Sequence, residues 1–263
     1  FNQDAFMLGR VAAHDMGRIE PLIHDYLESI KPDLAATAEE ALERRLAYLT
    51  DYQNADYAAR YRALVDQVAR VEAEKGEGRT ALSEAVMRNY FKLMAYKDEY
   101  EVARLYSDGR FLKNLGRQFE GDYELAFNLA PPLVTRKDPD TGRMKKREFG
   151  PWMMKGFALL ARLKGLRGTA FDIFGYSAER RMERQLIDEY RETVTGLLED
   201  LNAGNYEVAV QLASQPEEIR GFGHVKEEAV RNARSERERL LEQFSRAGAT
   251  IASTGTVQYH EAG

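Results

Sequence analysis

The sequence predicts a mainly α protein: a helical domain of long amphipathic helices with a small β-hairpin near residues 123–149. Three observations carry that expectation. Apolar residues recur at three- and four-residue spacing through most of the chain between Thr37 and Phe244. Helix-start residues and glycine-rich stops fall at the ends of those runs. Only from Tyr123 to Phe149 does the pattern change, to alternation broken by Pro131-Pro132 and a turn-forming cluster. No internal repeat interrupts this order.

Phe1 to Ala13 reads as a helix through Phe6, Leu8 and Val11, without a start signal of its own. Residues 1–18 are therefore read as the tail of a preceding domain, 19–246 as the helical domain, and 247–263 as a small, polar, flexible tail. Pro21 can open a short helix, because proline's fixed φ and missing N–H suit a first helical position. Thr37 and Glu40 have the spacing of a capping box. After them Leu42, Leu46, Leu49, Tyr57, Tyr61, Leu64, Val68 and Val71 mark a long amphipathic helix with a bend near Asn54. It stops before Gly76-Glu77-Gly78.

Thr80 can cap the next helix, which is read as continuous to Asp108-Gly109. Within it, Val86, Tyr90, Leu93, Lys97, Tyr100 and Arg104 form one stripe, and Met87, Phe91, Met94, Asp98, Val102 and Leu105 another. Apolar residues thus wrap most of the cylinder, the mark of burial on more than one side. Lys97 and Asp98 interrupt those stripes, and a charge taken out of water needs a partner. Lys97 reaches Glu101, and Arg104 reaches Glu101 or Tyr100, at helix-face spacing. Lys97, Asp98, Glu101 and Arg104 are therefore the expected buried polar cluster. A proton-transfer or ligand role is the alternative to a paired core.

A short helix through Phe111, Leu112 and Leu115 follows. Asp138-Pro139-Asp140-Thr141-Gly142 is turn chemistry, so the chain is expected to return as a hairpin through Met144 to Phe149. Pro151 opens a helix carrying Trp152, Met153, Phe157, Leu160 and Leu163. Ser177 caps a long helix to Leu201, and two further helices flank Arg220-Gly221-Phe222-Gly223.

Composition excludes whole classes of chemistry. The 263 residues contain no cysteine, so disulfides, thiol nucleophiles, thiolate-bound zinc and cysteine-held clusters are ruled out within this chain. No apolar run reaches the eighteen residues of a membrane span, and no secretory leader is recognisable. A cytoplasmic location is the expectation. The chain opens at Phe1 with no initiator Met, which suggests a piece of a longer protein. Residues 136–167 hold ten Lys/Arg against three acids, a local +7 in a chain of net −5, which leaves −12 elsewhere. That asymmetry points to local docking and away from nucleic-acid coating. Arg136, Lys137, Arg143, Lys145, Lys146 and Arg147 crowd around the turn and are the expected docking element.

The remaining candidates have structural readings. His14, His24, His224 and His260 are too scattered for a local metal pair. His224, in a glycine-rich GFGHVKE context near Lys226, is the least ordinary of them. Gly175-Tyr176-Ser177-Ala178-Glu179 lacks the second glycine of a nucleophile elbow and reads as a helix cap. Gly76 to Thr80 lacks the Lys-Ser/Thr ending of a phosphate loop. The carboxylates read as solvated helix faces. No catalytic, cofactor-binding or metal-binding residue is singled out.

Five blocks together resemble one family: YFKLMAYKDEYEVARLY (90–106), QFEGDYELAFNLAPPL (118–133), KREFGPWM (146–153), LARLKGLRGTAFDIFGYSAERRMER (160–184) and PEEIRGFGHVKE (216–227). They are similar to the C-terminal region of the fused, long-form bacterial indolepyruvate ferredoxin oxidoreductase, a 2-oxoacid:ferredoxin oxidoreductase. Residues 1–13 are similar to the end of its γ-type domain. The resemblance implies a parent enzyme that oxidatively decarboxylates an aryl-pyruvate to an acyl-CoA and reduces ferredoxin. It implies thiamine diphosphate, magnesium and iron–sulfur clusters in that parent, and a homo-oligomeric assembly. None of that machinery maps onto this chain: Gly121-Asp122 continues with Tyr123 where the thiamine motif needs glycine, and cluster-binding cysteines are absent.

The segment is accordingly read as a non-catalytic structural and assembly module. Its expected partners are the other domains of the parent chain and ferredoxin, with no nucleic acid or membrane. The alternative is an independent helical module binding a ligand or protein, with a pocket around Lys97, Asp98 and His224.

Overall fold

A computed structural model describes residues 2–18, 37–119, 121, 123–129 and 147–254. The chain divides into two compact units, Phe1–Arg44 and Arg45–Gly263. The described residues are mainly α, with ten α-helices and one two-stranded antiparallel sheet. None of these helices is long and apolar enough to cross a membrane.

In the first unit, α1 covers Asn2–His14 and exposes Phe6 and Met7. The helix expected at Pro21 lies outside the described residues. The capping box at the start of α2 (Ala38–Tyr52) is reciprocal: Glu40 N–H donates to Thr37 Oγ1 at 3.1 Å, and Thr37 N–H to Glu40 Oε2 at 3.3 Å. Both donors belong to the orphan N–H groups of a helix start.

The second unit begins within α2. Instead of bending at Asn54, the helix stops and restarts as α3 (Ala55–Lys75), with Asn54 Oδ1 accepting the Tyr57 N–H at 2.9 Å. The next predicted helix also breaks. The structure gives α4 (Ala81–Met94), an irregular turn through Ala95, Tyr96 and Lys97, then α5 (Glu99–Ser107). The break is satisfied from both sides. Tyr57 and Tyr52 donate their hydroxyls to the carbonyls of Met94 and Tyr96, at 2.9 and 2.8 Å. Asp98 Oδ1 accepts the Glu101 N–H at 2.8 Å.

The short helix α6 (Arg110–Gln118) precedes the ribbon, in which β1 (Phe127–Leu129) pairs with β2 (Arg147–Phe149), Asn128 opposite Glu148. The ribbon's inner side joins a satellite core of Ala103, Phe127 and Phe157, on which Tyr106 and Met153 pack. Phe157 lies on α7 (Met153–Arg162), which ends in a 3₁₀ turn at Leu163–Leu166. Ser177 Oγ accepts the Arg180 N–H at the start of α8 (Ala178–Asp200). Two helices complete the order, α9 (Tyr206–Ser214) and α10 (His224–Thr254). Residues 247–254 are therefore helical, where a flexible tail was expected; 255–263 lie outside the described residues.

The main core is a stack of aromatic rings between α3, α4 and α8. Tyr61, Tyr90 and Tyr190 lie ring on ring at 5.9 and 5.8 Å. Each such pair adds ~0.5–1.5 kcal/mol beyond its buried area.

Candidate functional site

The buried charges occupy the junction of α2, the α4–α5 break and the loop from Arg167 to Ser177. Arg167 and Asp98 are both almost fully buried, with side chains 2% and 3% exposed. Arg167 Nε donates to Asp98 Oδ2 at 2.5 Å and Nη2 to Oδ1 at 2.8 Å, a bidentate pair. Its Nη1 donates to the Tyr52 carbonyl at 2.6 Å, and the guanidinium lies over the Tyr52 ring, 3.7 Å from its centre. Burial, reinforced by the Asp98 charge, pushes the Tyr52 hydroxyl far above its ordinary range.

Asp172 anchors the adjoining loop. It accepts the N–H groups of Gly168 and Gly175 at 2.8 and 3.0 Å, and the Tyr100 hydroxyl at 3.2 Å. Gly175 is required there, because an added Cβ would fall 2.4 Å from the Asp172 carboxylate.

Glu101 forms a second paired cluster. Its carboxylate takes Arg104 Nε and Nη2 at 2.8 and 2.7 Å and the Tyr48 hydroxyl at 2.5 Å. Burial and this carboxylate raise the Tyr48 hydroxyl to about 12. Glu72 forms a third, between α3 and the start of α4. It accepts the backbone N–H groups of Leu82 and Ser83, the Ser83 hydroxyl, and the Tyr206 hydroxyl at 2.5 Å. Glu72 thereby caps α4, where Thr80 makes no side-chain bond to the backbone.

Of the predicted cluster, Asp98, Glu101 and Arg104 lie at this junction, but as two separate pairs. Lys97 is a correction. It is exposed, because the helix unwinds at residues 95–97 and Lys97 no longer follows the buried stripe. Glu101 is taken by Arg104 and Tyr48, not by Lys97. His224 is exposed at the start of α10, and its neighbour Lys226 pairs with Glu183 at 2.6 Å. The pocket expected around Lys97, Asp98 and His224 is therefore not formed by these residues. Glu72, Asp172 and Glu183, carboxylates read as solvated, are buried. Arg136, Lys137, Arg143, Lys145 and Lys146 lie outside the described residues, and Arg147 is exposed on β2.

Two features escaped the sequence. Gln53, Tyr57, Arg60, Tyr96, Arg167, Arg184 and their neighbours surround a cleft of about 240 Å³. Separately, one side of α7 is apolar and uncovered: Trp152 and Leu159 are each 63% exposed, and Leu163 follows one turn on. Phe171, Ile173 and Tyr176 of the next loop are likewise exposed. Among the described residues, no group of three acidic or histidine side chains could hold a metal ion.

Fold and site define a helical domain whose buried charges bridge its own helices. The chain belongs to the family of unknown function DUF6537, whose model matches residues 38–239. No curated protein and no solved structure matches it.

Proposed function

We propose that this chain is a non-catalytic structural and assembly segment of a 2-oxoacid:ferredoxin oxidoreductase acting on an aryl-pyruvate. The five sequence blocks supply the resemblance on which the parent enzyme rests. The observation that carries an assembly role is the uncovered apolar side of α7. Trp152, Leu159 and Leu163 fall seven and four residues apart, so they share one side of the helix. The opposite side, with Met153, Phe157 and Leu160, is packed on the satellite core. Large apolar side chains exposed along one side of a helix are a candidate interaction surface. Its partner in this reading is another domain of the parent chain. The three paired clusters fit the same role, since their carboxylates are engaged in caps and ion pairs that hold the helices in register.

The basic segment carrying Arg136, Lys137, Arg143, Lys145, Lys146 and Arg147 is proposed as the docking element for an acidic partner such as ferredoxin. Attraction of that kind is screened over ~8–10 Å in physiological salt and weakens as salt rises.

The test is to isolate the native gene product with antibodies against this chain, then measure its mass and its reduction of a viologen dye with aryl-pyruvate and coenzyme A. A product much larger than 30.0 kDa with 2-oxoacid-dependent reduction supports the reading. A 30 kDa product without that activity refutes it. In the active enzyme, Leu159→Ser with Leu163→Ser should loosen assembly while leaving the helical content of the 263-residue chain unchanged.

A further inference from the structure

Between Glu148 and Asp172 the chain carries four cations and no acid. The fold uses two of the cations. Arg167 is held by Asp98, and Lys164 Nζ donates to the Thr50 and Asp51 carbonyls at the end of α2. The other two, Lys155 and Arg162, are exposed on α7. At about 100° per residue they fall along one edge of the uncovered stripe of Trp152, Leu159 and Leu163. The stripe's other edge adjoins the side packed on the satellite core through Met153 and Leu160. Lys155 and Arg162 are seven residues apart, which sets them about 10 Å from each other along the axis. The Trp152 ring meets the Phe149 ring edge-on, with centres 6.0 Å apart, and still is 63% exposed. It is thus held in place before any partner arrives, which limits the side-chain entropy lost on binding.

We infer that this face docks an apolar protein surface edged by carboxylates, which pair with Lys155 and Arg162 as Trp152 is buried. The inference rests on the assembly role proposed for α7 and adds the chemistry of the partner. Charge decides among the possible occupants. A symmetric pairing of two copies through α7 would bring the same two cations from each side, and no carboxylate from that helix. An anionic bilayer would attract the cations, but as an extended surface it would also meet the −12 carried outside residues 136–167. A partner whose carboxylates are confined to one edge of an apolar patch complements the stripe and its cations together. Opposite charges at such a rim set register and exclude wrong partners, while the buried tryptophan supplies most of the attraction.

Trp152 is the sole tryptophan of the 263 residues, so tryptophan fluorescence of the chain reports on this face alone. The chain is titrated with two synthetic, tryptophan-free helical peptides that share a leucine stripe. One is edged by glutamates seven residues apart, the other by lysines at the same positions. The glutamate peptide should shift Trp152 emission saturably to the blue and protect it from acrylamide quenching. The lysine peptide should bind about 10-fold more weakly at low salt. Lys155→Glu with Arg162→Glu, at exposed positions that leave the core intact, should reverse that preference. Equal binding of the two peptides overturns the acidic partner while leaving α7 a docking face. No saturable response to either overturns the inference and the assembly role of α7 together. A blue shift produced by raising the protein concentration alone, which marks a second copy, overturns the inference. So does a shift with phosphatidylserine vesicles and none with the peptides, which marks a membrane. The parent enzyme stands or falls separately, on the mass and activity of the native product.

Discussion

Replacing Arg167 with Met is the most direct test of the buried-pair architecture. In the folded protein this change leaves the Asp98 carboxylate, 3% exposed, without either charged donor. Asp98 keeps one neutral donor, the Glu101 N–H. Breaking a buried pair from one side costs ~3–5 kcal/mol, because the surviving charge is uncompensated. The Tyr52 carbonyl also loses its donor and the Tyr52 ring its cation, which places the loss towards the top of that range. Against a typical total stability of ~5–15 kcal/mol this is a large fraction, and it corresponds to a melting midpoint lower by about 6–20 °C. The assay is urea unfolding followed by circular dichroism, on wild type, Arg167→Met, Asp98→Asn and the double variant. Neutralising Asp98 removes the stranded charge, so the double variant should lose less than the sum of the singles, with a coupling energy of ~2–3 kcal/mol. A single-variant loss of no more than ~1 kcal/mol, or additivity within ~0.5 kcal/mol, would refute the reasoning.

Lys97→Met should change stability by no more than ~0.5 kcal/mol, since Lys97 is exposed; a loss of several kcal/mol in the same unfolding assay would return Lys97 to the core. Glu72→Ala should lower stability by ~3 kcal/mol, because it strips acceptors from the Leu82 and Ser83 N–H groups and from the Tyr206 hydroxyl, with Glu72→Gln recovering part of the loss; equal losses in the two variants would count against the capping role. Burial raises the Tyr61 and Tyr96 hydroxyls to about 12, above the unfolded value near 10, so the folded state holds those protons more tightly. Their contribution is fully present below pH 10 and is lost as pH rises through 12, at up to ~1.4 kcal/mol per pH unit for each group. Absorbance of tyrosinate should therefore grow together with loss of helix, and ionisation of most tyrosines near pH 10 in an intact fold would contradict it. Calorimetry with thiamine diphosphate and magnesium, and metal analysis of the purified chain, should both be blank; stoichiometric iron or measurable cofactor binding would overturn the non-catalytic proposal.

The helix starts were legible where the signal is local. Thr37 with Glu40 and Ser177 are such positions, and each acts within three residues of itself; Asn54, read as a bend, is a cap of the same kind. The α4–α5 break was hidden by a conflict between two local signals. Apolar periodicity runs straight from Val86 to Leu105, whereas Asp98 followed by Glu101 has the spacing of a helix start. The structure follows the second signal, because tyrosines from α2 and α3 satisfy the carbonyls that the break exposes. Those donors lie about forty residues away, beyond the reach of a periodicity argument. Arg167 was concealed in the same way: it was counted only as one of the ten Lys/Arg of residues 136–167, and its partner is 69 residues distant. Glu72 was readable in principle. Leu64, Val68 and Glu72 are successive steps of one stripe, so the spacing that singled out Asp98 placed this carboxylate on a buried face too.

A common logic connects these cases. Three of the buried carboxylates serve backbone N–H groups at a helix start or loop, and also a side chain from an element remote in sequence. Glu72 serves Leu82, Ser83 and Tyr206; Asp98 serves Glu101 and Arg167; Asp172 serves Gly168, Gly175 and Tyr100. Such a carboxylate offsets its desolvation with several donors at once and fixes two elements against each other, as buried polar groups must to be tolerated. Arg184 breaks the pattern. It joins the same loop through the Gly175 carbonyl, yet among the described residues it pairs with no carboxylate, and one of its buried nitrogens is unsatisfied.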